Sequence, residues 1–251
     1  MKLNSTDNIL EVAVHSLESA LAAKTGGADR IEVCTALQTG GLTPDLGLLE
    51  CIRDAIDLPI HVLIRPRLGN FVYDQYEIKT MVRSIEVLIK SKVQGIVIGC
   101  LKHDGHLDQR NLQLFKEVAG TLDITFHRAI DVCQNMFDAV HIIMETGYNR
   151  ILTSGAAPSA WEGRSRIRQM VEIATGSQLS IMPGAGVLPE NAAALLKETG
   201  AREIHASAKK VYPLIDHDSI GLTTIHGKAV VSKWESDAEQ IESIKKAISH
   251  S

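Results

Sequence analysis

Along almost the whole chain, short apolar runs rich in β-branched residues alternate with stretches of helical periodicity, and no single motif constrains the fold as strongly. Ile9 to Val14, Arg30-Ile31-Glu32-Val33-Cys34, Ile60-His61-Val62-Leu63-Ile64-Arg65 and Gly95-Ile96-Val97-Ile98-Gly99-Cys100 are four such runs. Asp123-Ile124-Thr125-Phe126, Arg150-Ile151-Leu152-Thr153, Leu179-Ser180-Ile181-Met182-Pro183 and Glu203-Ile204-His205-Ala206-Ser207 are four more. Apolar throughout and bounded by turn residues, they read as strands of a parallel sheet covered on both faces. The intervening helices carry start signals at Ser16, at Thr43 with Pro44, at Asp108, at Pro158 and at Pro189, and Gly26-Gly27 stops the first. A weak echo supports repetition: Gly27-Ala28-Asp29-Arg30-Ile31-Glu32, Gly147-Tyr148-Asn149-Arg150-Ile151-Leu152 and Gly200-Ala201-Arg202-Glu203-Ile204-His205 each lead into a strand alike.

Eight strand-helix units in 251 residues, with no break in composition, predict one α/β domain over residues 1–251, a closed (β/α)8 TIM barrel. An open doubly wound sheet is the alternative, but no GxGxxG follows the first strand. Residues 208–235 show no period and read as a long irregular segment before a last amphipathic helix from Asp237 to Ile248.

Net charge is -4 with no basic cluster, which argues against nucleic acid or an anionic membrane as the main partner. No apolar run approaches the ~20 residues of a membrane span, and Met1 to Asp7 shows no signal-peptide core, so a cytoplasmic protein is expected. Its four cysteines, Cys34, Cys51, Cys100 and Cys133, form no CxxC pair and read as reduced thiols.

In a barrel the C-terminal ends of all strands surround one mouth, so residues distant in sequence become neighbours. Those ends carry Glu11, Glu32, Cys34, His61, Arg65, Arg67, His127, Arg128, Asp131, Thr153, Ser154, His205 and Ser207. Taken singly, each charged residue reads as half of a structural ion pair; as a set on one face they read as a site. Three chemistries fit. Arg65, Arg67 and Arg128 suit a small anionic or phosphorylated metabolite, with backbone NH groups at Gly155, Gly184, Gly186 and after Ser207. Glu11, Glu32, Asp131, His61, His127 and His205 suit proton transfer. Cys34, Cys100 and Cys133 near strand ends suit Cu(I) or zinc, although a lone cysteine is commonly a small buried hydrophobe. No strand end presents a lysine, which disfavours a lysine-dependent aldolase.

Longer strings carry a family resemblance. Glu11-Val12 with Ser16-Leu17-Glu18-Ser19-Ala20, Gly26-Gly27-Ala28-Asp29-Arg30-Ile31-Glu32-Val33-Cys34, Gly40-Gly41-Leu42-Thr43-Pro44 and Ile64-Arg65-Pro66-Arg67 are followed by Thr125-Phe126-His127-Arg128-Ala129, Arg150-Ile151-Leu152-Thr153-Ser154-Gly155 and Met182-Pro183-Gly184-Ala185-Gly186-Val187. From about residue 9 to about residue 208 the chain resembles the CutC copper homeostasis family. The resemblance implies a cytoplasmic, homo-oligomeric TIM barrel linked to copper tolerance or trafficking, with Cu(I) bound through cysteine. The family's polar set falls on Glu11, Glu32, His61, Arg65, Arg67, His127, Arg128, Asp131, Ser154 and His205. The chain departs from the pattern at Ala13, where relatives frequently carry Cys, at Arg67-Leu68-Gly69-Asn70-Phe71 in place of Arg-Gly-Gly-Asp-Phe, and at Ile130-Asp131 in place of Phe-Asp.

Two functional expectations follow. One is a part in copper homeostasis, with Cu(I) at Cys34 aided by Cys100 or Met182. The alternative is an enzyme that holds a small anionic metabolite through arginines and uses Glu32, His127 or Asp131 as acid and base. A third, structural reading makes the polar set an ion-pair plug inside the barrel.

Overall fold

The computed structural model describes residues 8–213, 224–225, 228–229 and 232–249. Eight parallel strands form the barrel: β1 (Ile9–Val14), β2 (Arg30–Val33), β3 (Ile60–Leu63), β4 (Gly95–Ile98), β5 (Asp123–Phe126), β6 (Arg150–Thr153), β7 (Ser180–Pro183) and β8 (Glu203–Ala206). Each pairs with its sequence neighbour, β8 returns to β1, and a bridge between Gly184 and His205 joins β7 to β8, so the sheet closes as expected. Helices α1 (Leu17–Thr25), α2 (Leu46–Ala55), α3 (Gln75–Lys90), α4 (Gln109–Ala119), α5 (Met136–Thr146), α6 (Ala160–Ala174), α7 (Pro189–Thr199) and α8 (Ala238–Ser249) surround it. No helix among the described residues is long and apolar enough to cross a membrane.

Side chains alternate in and out along each strand. Ile31, Val33, Val62, Ile96, Ile98, Ile124, Ile151, Ile181 and Ile204 pack outward with helix residues such as Ile52, Met81, Ile85, Leu112, Val140, Ile167 and Leu195 in one core. The inward set is polar. Arg30 donates from Nε to Glu11 at 2.5 Å and from a terminal nitrogen to Glu203 at 2.6 Å, while Arg150 Nε donates to Glu203 at 2.5 Å. Arg30 also reaches Met182 Sδ at 3.4 Å, and Arg150 reaches Thr125 Oγ1 at 3.2 Å. Two carboxylates thus balance two guanidiniums, all four buried. The floor is glycine-lined for a steric reason: a Cβ on Gly95 would lie 2.6 Å from the His61 ring, and one on Gly99 would lie 2.9 Å from the His127 ring.

Local differences from the sequence reading have identifiable causes. Thr43 and Pro44 do not open α2; Asp45 caps it by accepting from Leu48 N, while Thr43 bonds in both directions with the Arg65 backbone. Ser159, rather than Pro158, caps α6. A 3-10 turn over Arg128–Val132, unforeseen, follows β5. The irregular segment also contains an antiparallel ribbon of β9 (Lys209–Pro213) and β12 (Ser232–Ser236), and a two-residue pairing of β10 (Thr224–Ile225) with β11 (Lys228–Ala229). Its short strands are too polar to show a strand period. The remainder of that segment, like Met1 to Asp7, lies outside the described residues.

Glu203 is the shared partner of two buried arginines, so Glu203→Gln leaves uncompensated charge inside the barrel. Urea unfolding should show a loss of about 3–5 kcal/mol. Glu86→Gln, whose partner Arg83 is exposed, should stay within about 0.5 kcal/mol of wild type; comparable small losses in both would show that the network is not stabilising.

Candidate functional site

Above the ion-pair floor a cavity of about 450 Å³ opens at the C-terminal ends of the strands, lined by Ala13, Glu32, Cys34, Arg65, Phe71, His127, Arg128, Leu152, Gly186, His205, Ser207, Lys209 and Trp234 among others. The barrel therefore brings Glu32, Cys34, Arg65, His127, Arg128, Gly186, His205 and Ser207 together at one mouth. It places the other expected residues elsewhere. Glu11 and His61 lie below in the floor, 3.8 Å apart. Gly184 faces the Leu152 and His205 side chains. Arg67 turns away to Glu77 and to the carbonyls of Leu68, Asn70 and Val72, fastening the loop that carries Phe71.

At the cavity floor Glu11, His205 and Glu32 form a short relay. Glu11 accepts from His205 Nδ1 at 2.8 Å, and His205 Nε2 lies 3.7 Å from Glu32. Burial alone would push the Glu11 carboxyl up, but Arg30 and His205 hold it well below the usual carboxylate range. An ionised Glu11 fixes the proton on His205 Nδ1 and the orientation of the ring. Burial pushes Glu32 up to about 7, assisted by the negative charge of Glu11 and opposed by His205. Burial works against protonation of His205, yet the Glu11 hydrogen bond and the charge of Glu32 raise its pKa. A carboxyl pushed up to about 7 beside an imidazole whose proton is held more tightly than usual suits acid-base work. Oxygen and nitrogen atoms of Glu11, Glu32 and His205 lie within 4.8 Å of one another. That donor set could accept a divalent cation, although Arg30 already occupies one oxygen of Glu11.

The walls carry positive charge. Arg65 is buried, and its guanidinium donates to the carbonyls of Thr39, Gly41 and Gly69 while stacking 5.2 Å from the Phe71 centroid. No carboxylate among the described residues lies within ion-pair distance of it, and its Nε is buried without a partner. His127 caps the 3-10 turn by accepting from Ala129 N on Nδ1, which leaves the proton on Nε2; that atom is buried and unpartnered. Burial pushes the His127 pKa to about 3, so the ring is a neutral donor rather than a base. Asp131 is saturated: it accepts from Thr153 Oγ1 at 2.5 Å, from the backbone of Ser154 and Ala156, and from Arg128 Nε at 2.8 Å. With Ser154, which accepts from Arg128 at 2.8 Å, it aims Arg128 at the mouth instead of meeting a ligand itself.

The two proposed metal ligands do not meet. Cys34 continues the inward row of Arg30 and Glu32 and packs with Leu63, Val97 and Leu37. Cys100 continues the outward row of Ile96 and Ile98 and joins the strand-helix core. They face opposite sides of the barrel wall, two strands apart. Burial, and then the charge of Glu32, pushes the Cys34 thiol up, and burial raises Cys100 likewise, so neither offers a thiolate. This arrangement does not fit a Cu(I) ion shared by Cys34 and Cys100, and Met182 Sδ is directed to Arg30.

Sequence reasoning did not single out Arg30, Arg150, Glu203, Phe71, Lys209 or Trp234. The first three were legible in principle, because Arg30 and Glu203 share the inward parity of Glu32 and His205.

The shifts of Glu32 and His205 have one sign: each holds its proton more tightly in the folded protein. Their stabilisation is complete below the unfolded values, 4.5 and 6.5, and is lost as pH rises through the folded ones. Glu32→Gln cannot ionise, so from pH 5 to 8 its stability should gain on wild type by about 1–3 kcal/mol in urea titrations. A pH-independent difference would show that Glu32 is not held protonated.

A profile of the CutC family matches residues 8–210. A family protein CutC of Xanthomonas campestris pv. campestris (strain 8004) is 47% identical over 200 residues, covering 80% of this chain and 83% of the relative. The human copper homeostasis protein cutC homolog is 39% identical over 201 residues, covering 80% and 73%. Among solved structures, a CutC from Streptococcus agalactiae superposes with a TM-score of 0.76 at 27% identity, covering 80% of this chain and 98% of that one. A thiamine phosphate pyrophosphorylase from Pyrococcus furiosus, at 17% identity and a TM-score of 0.58 over 96% of each chain, shares the fold. The chain belongs to the CutC family.

Proposed function

We propose that the mouth of this barrel binds a small organic anion and catalyses proton transfer on it. The observation that carries the reading is Arg65: a buried guanidinium without a carboxylate partner among the described residues, in the wall of the cavity whose floor is the Glu32–His205 pair. Buried charges ordinarily have a counter-charge, and here the ligand would supply it. Arg128, held by Asp131 and Ser154, adds a second cation at the rim, where its side chain remains 45% exposed. In the reaction Glu32 as carboxylate takes a proton from the carbon beside a carbonyl. His205, protonated on both nitrogens and held by Glu11, gives its Nε2 proton to the carbonyl oxygen. The products are an enol, a neutral imidazole and a protonated Glu32, and the reverse transfers reset the site.

Resident Cu(I) at Cys34 is the competing reading. It has in its favour that Cys34 lines the cavity, and against it the buried, protonated thiol and Ala13 on the adjacent strand. The part in copper homeostasis carried by the human relative's name comes to this chain within the same proposal, as do the cytoplasmic location and homo-oligomeric assembly implied by the resemblance.

Inorganic phosphate, citrate and a panel of sugar phosphates and keto acids should raise the melting temperature of wild type, with about 2.7 kcal/mol of stabilisation at a hundredfold excess over Kd. Arg65→Met should lose the response. In D2O, a binding compound should exchange its proton beside the carbonyl, and Glu32→Gln and His205→Asn should each slow exchange at least a hundredfold. The reading fails if no anion stabilises wild type. In anaerobic Cu(I) titrations, Cys34→Ser should bind as wild type does; tight stoichiometric binding lost in Cys34→Ser would favour the copper reading.

A further inference from the structure

The cavity has a second wall that anion binding alone does not use. The same cavity is lined by Leu152, Val187, Leu188, Ala206 and, from the C-terminal ribbon, Trp234. Leu188 is 50% exposed there. An anion such as phosphate or a keto acid would leave much of this surface against water, and a volume of about 450 Å³ lies in the range of cavities that enclose larger, mostly apolar ligands.

The placement of Trp234 is set by its neighbours. Glu235 accepts from Ser16 Oγ at 2.5 Å and from Ser19 Oγ at 2.6 Å, while Lys233 pairs with Glu18, so these two alternate residues of β12 are turned to α1. Trp234 and Ser236 take the other face. Ser236 Oγ donates to the carbonyl of Ala13, itself a cavity residue. This phase holds the indole at the mouth, and Lys209 Nζ stands 3.7 Å from the ring centroid, where its charge orders the ring and adds to the positive rim. The family match ends at residue 210, so β12 adds a wall to the matched barrel.

We infer that the anion bound at this mouth carries a flat aromatic or heteroaromatic portion that packs against Trp234, which makes the C-terminal ribbon a specificity element. The inference rests on the anion-binding reading of the same cavity. Arg65 takes the acid group and the apolar wall takes the ring, since stacking on an indole rewards planar ligands over branched ones of equal area.

The test uses two probes on the full chain: sulfate, an anion without a ring, followed by melting temperature, and 8-anilinonaphthalene-1-sulfonate, an anion with rings, followed by fluorescence. Trp161→Phe serves as background so that Trp234 is the remaining tryptophan. The expected result is saturable quenching of Trp234 by the ring-bearing sulfonate at one per chain, abolished in Arg65→Met. Trp234→Ala should weaken that probe about tenfold and leave the sulfate response unchanged, and Trp234→Phe should restore binding to within about threefold. Equal affinity of wild type and Trp234→Ala for the aromatic sulfonate, with the sulfate response intact, overturns the inference and spares the anion reading. Failure of wild type to respond to either probe overturns both.

Discussion

The buried network of Glu11, Arg30, Glu203 and Arg150 is the constraint on which the rest of this barrel depends. Four full charges inside a closed sheet are tolerable because each carboxylate meets a guanidinium at hydrogen-bond distance and the two signs cancel. That cancellation has a chemical consequence above it. With Glu11 held ionised by Arg30, the next hydrogen bond in the chain, to His205 Nδ1, is a charge-assisted one with a fixed direction. Glu32 then finds its two nearest charges already committed, and its burial leaves it close to neutral pH. The plug that could have been a purely structural filler is also what tunes the pair at the floor of the mouth.

The walls are organised on a different principle. Arg65 is held by backbone carbonyls and Arg128 by Asp131 and Ser154, so both side chains are fixed before a ligand arrives. Arg65 rests on three carbonyls, which solvate a guanidinium without neutralising it. Asp131 uses its oxygens on Thr153, Ser154 and Ala156 as well as on Arg128, so it fixes two strand ends to one another and lends Arg128 its direction. His127 is fixed as a neutral donor by a single backbone NH. Polar groups arranged this way are ready to meet a negative charge without reorganising.

How much of this was legible in the sequence follows from what each signal measures. The strands were readable because an apolar run such as Gly95–Ile98 reports burial on both faces; their number and the chain length favoured a barrel over an open sheet, and closure itself is seen in the pairing of β8 with β1 and the bridge from β7 to β8. That Glu32, Arg65, His127, Arg128 and His205 converge was readable too, since barrel topology alone brings strand ends together. Strand parity carries a further signal: stepping by two from Glu32 and His205 puts Arg30 and Glu203 inside, where they are buried and paired. Roles within the site were not legible. Asp131 and Arg67 look like ligand groups until their partners, which come from loops distant in sequence, are known. The β9–β12 ribbon escaped because Lys209–Pro213 and Ser232–Ser236 have no apolar alternation; their order comes from contacts with α1 and the barrel rim.

Parity also decides what the cysteines can do. Ala13 and Cys34 both point into the barrel from adjacent strands, with Ala13 paired in register to Glu32. A cysteine at position 13, as the resemblance implies for many relatives, would bring a second thiol beside Cys34, at the level of Glu32. Here that position is a methyl group, and Cys34 is left against Leu63 and Val97 with Glu32 two residues before it. Both neighbours oppose ionisation, the apolar pair by desolvation and the carboxylate by its charge. The same substitution widens the floor between Glu32 and Cys34 by the volume of a sulfur atom. In this chain the change that weakens a thiolate site therefore enlarges an organic one, and the two readings of the mouth are set against each other by the residue at position 13.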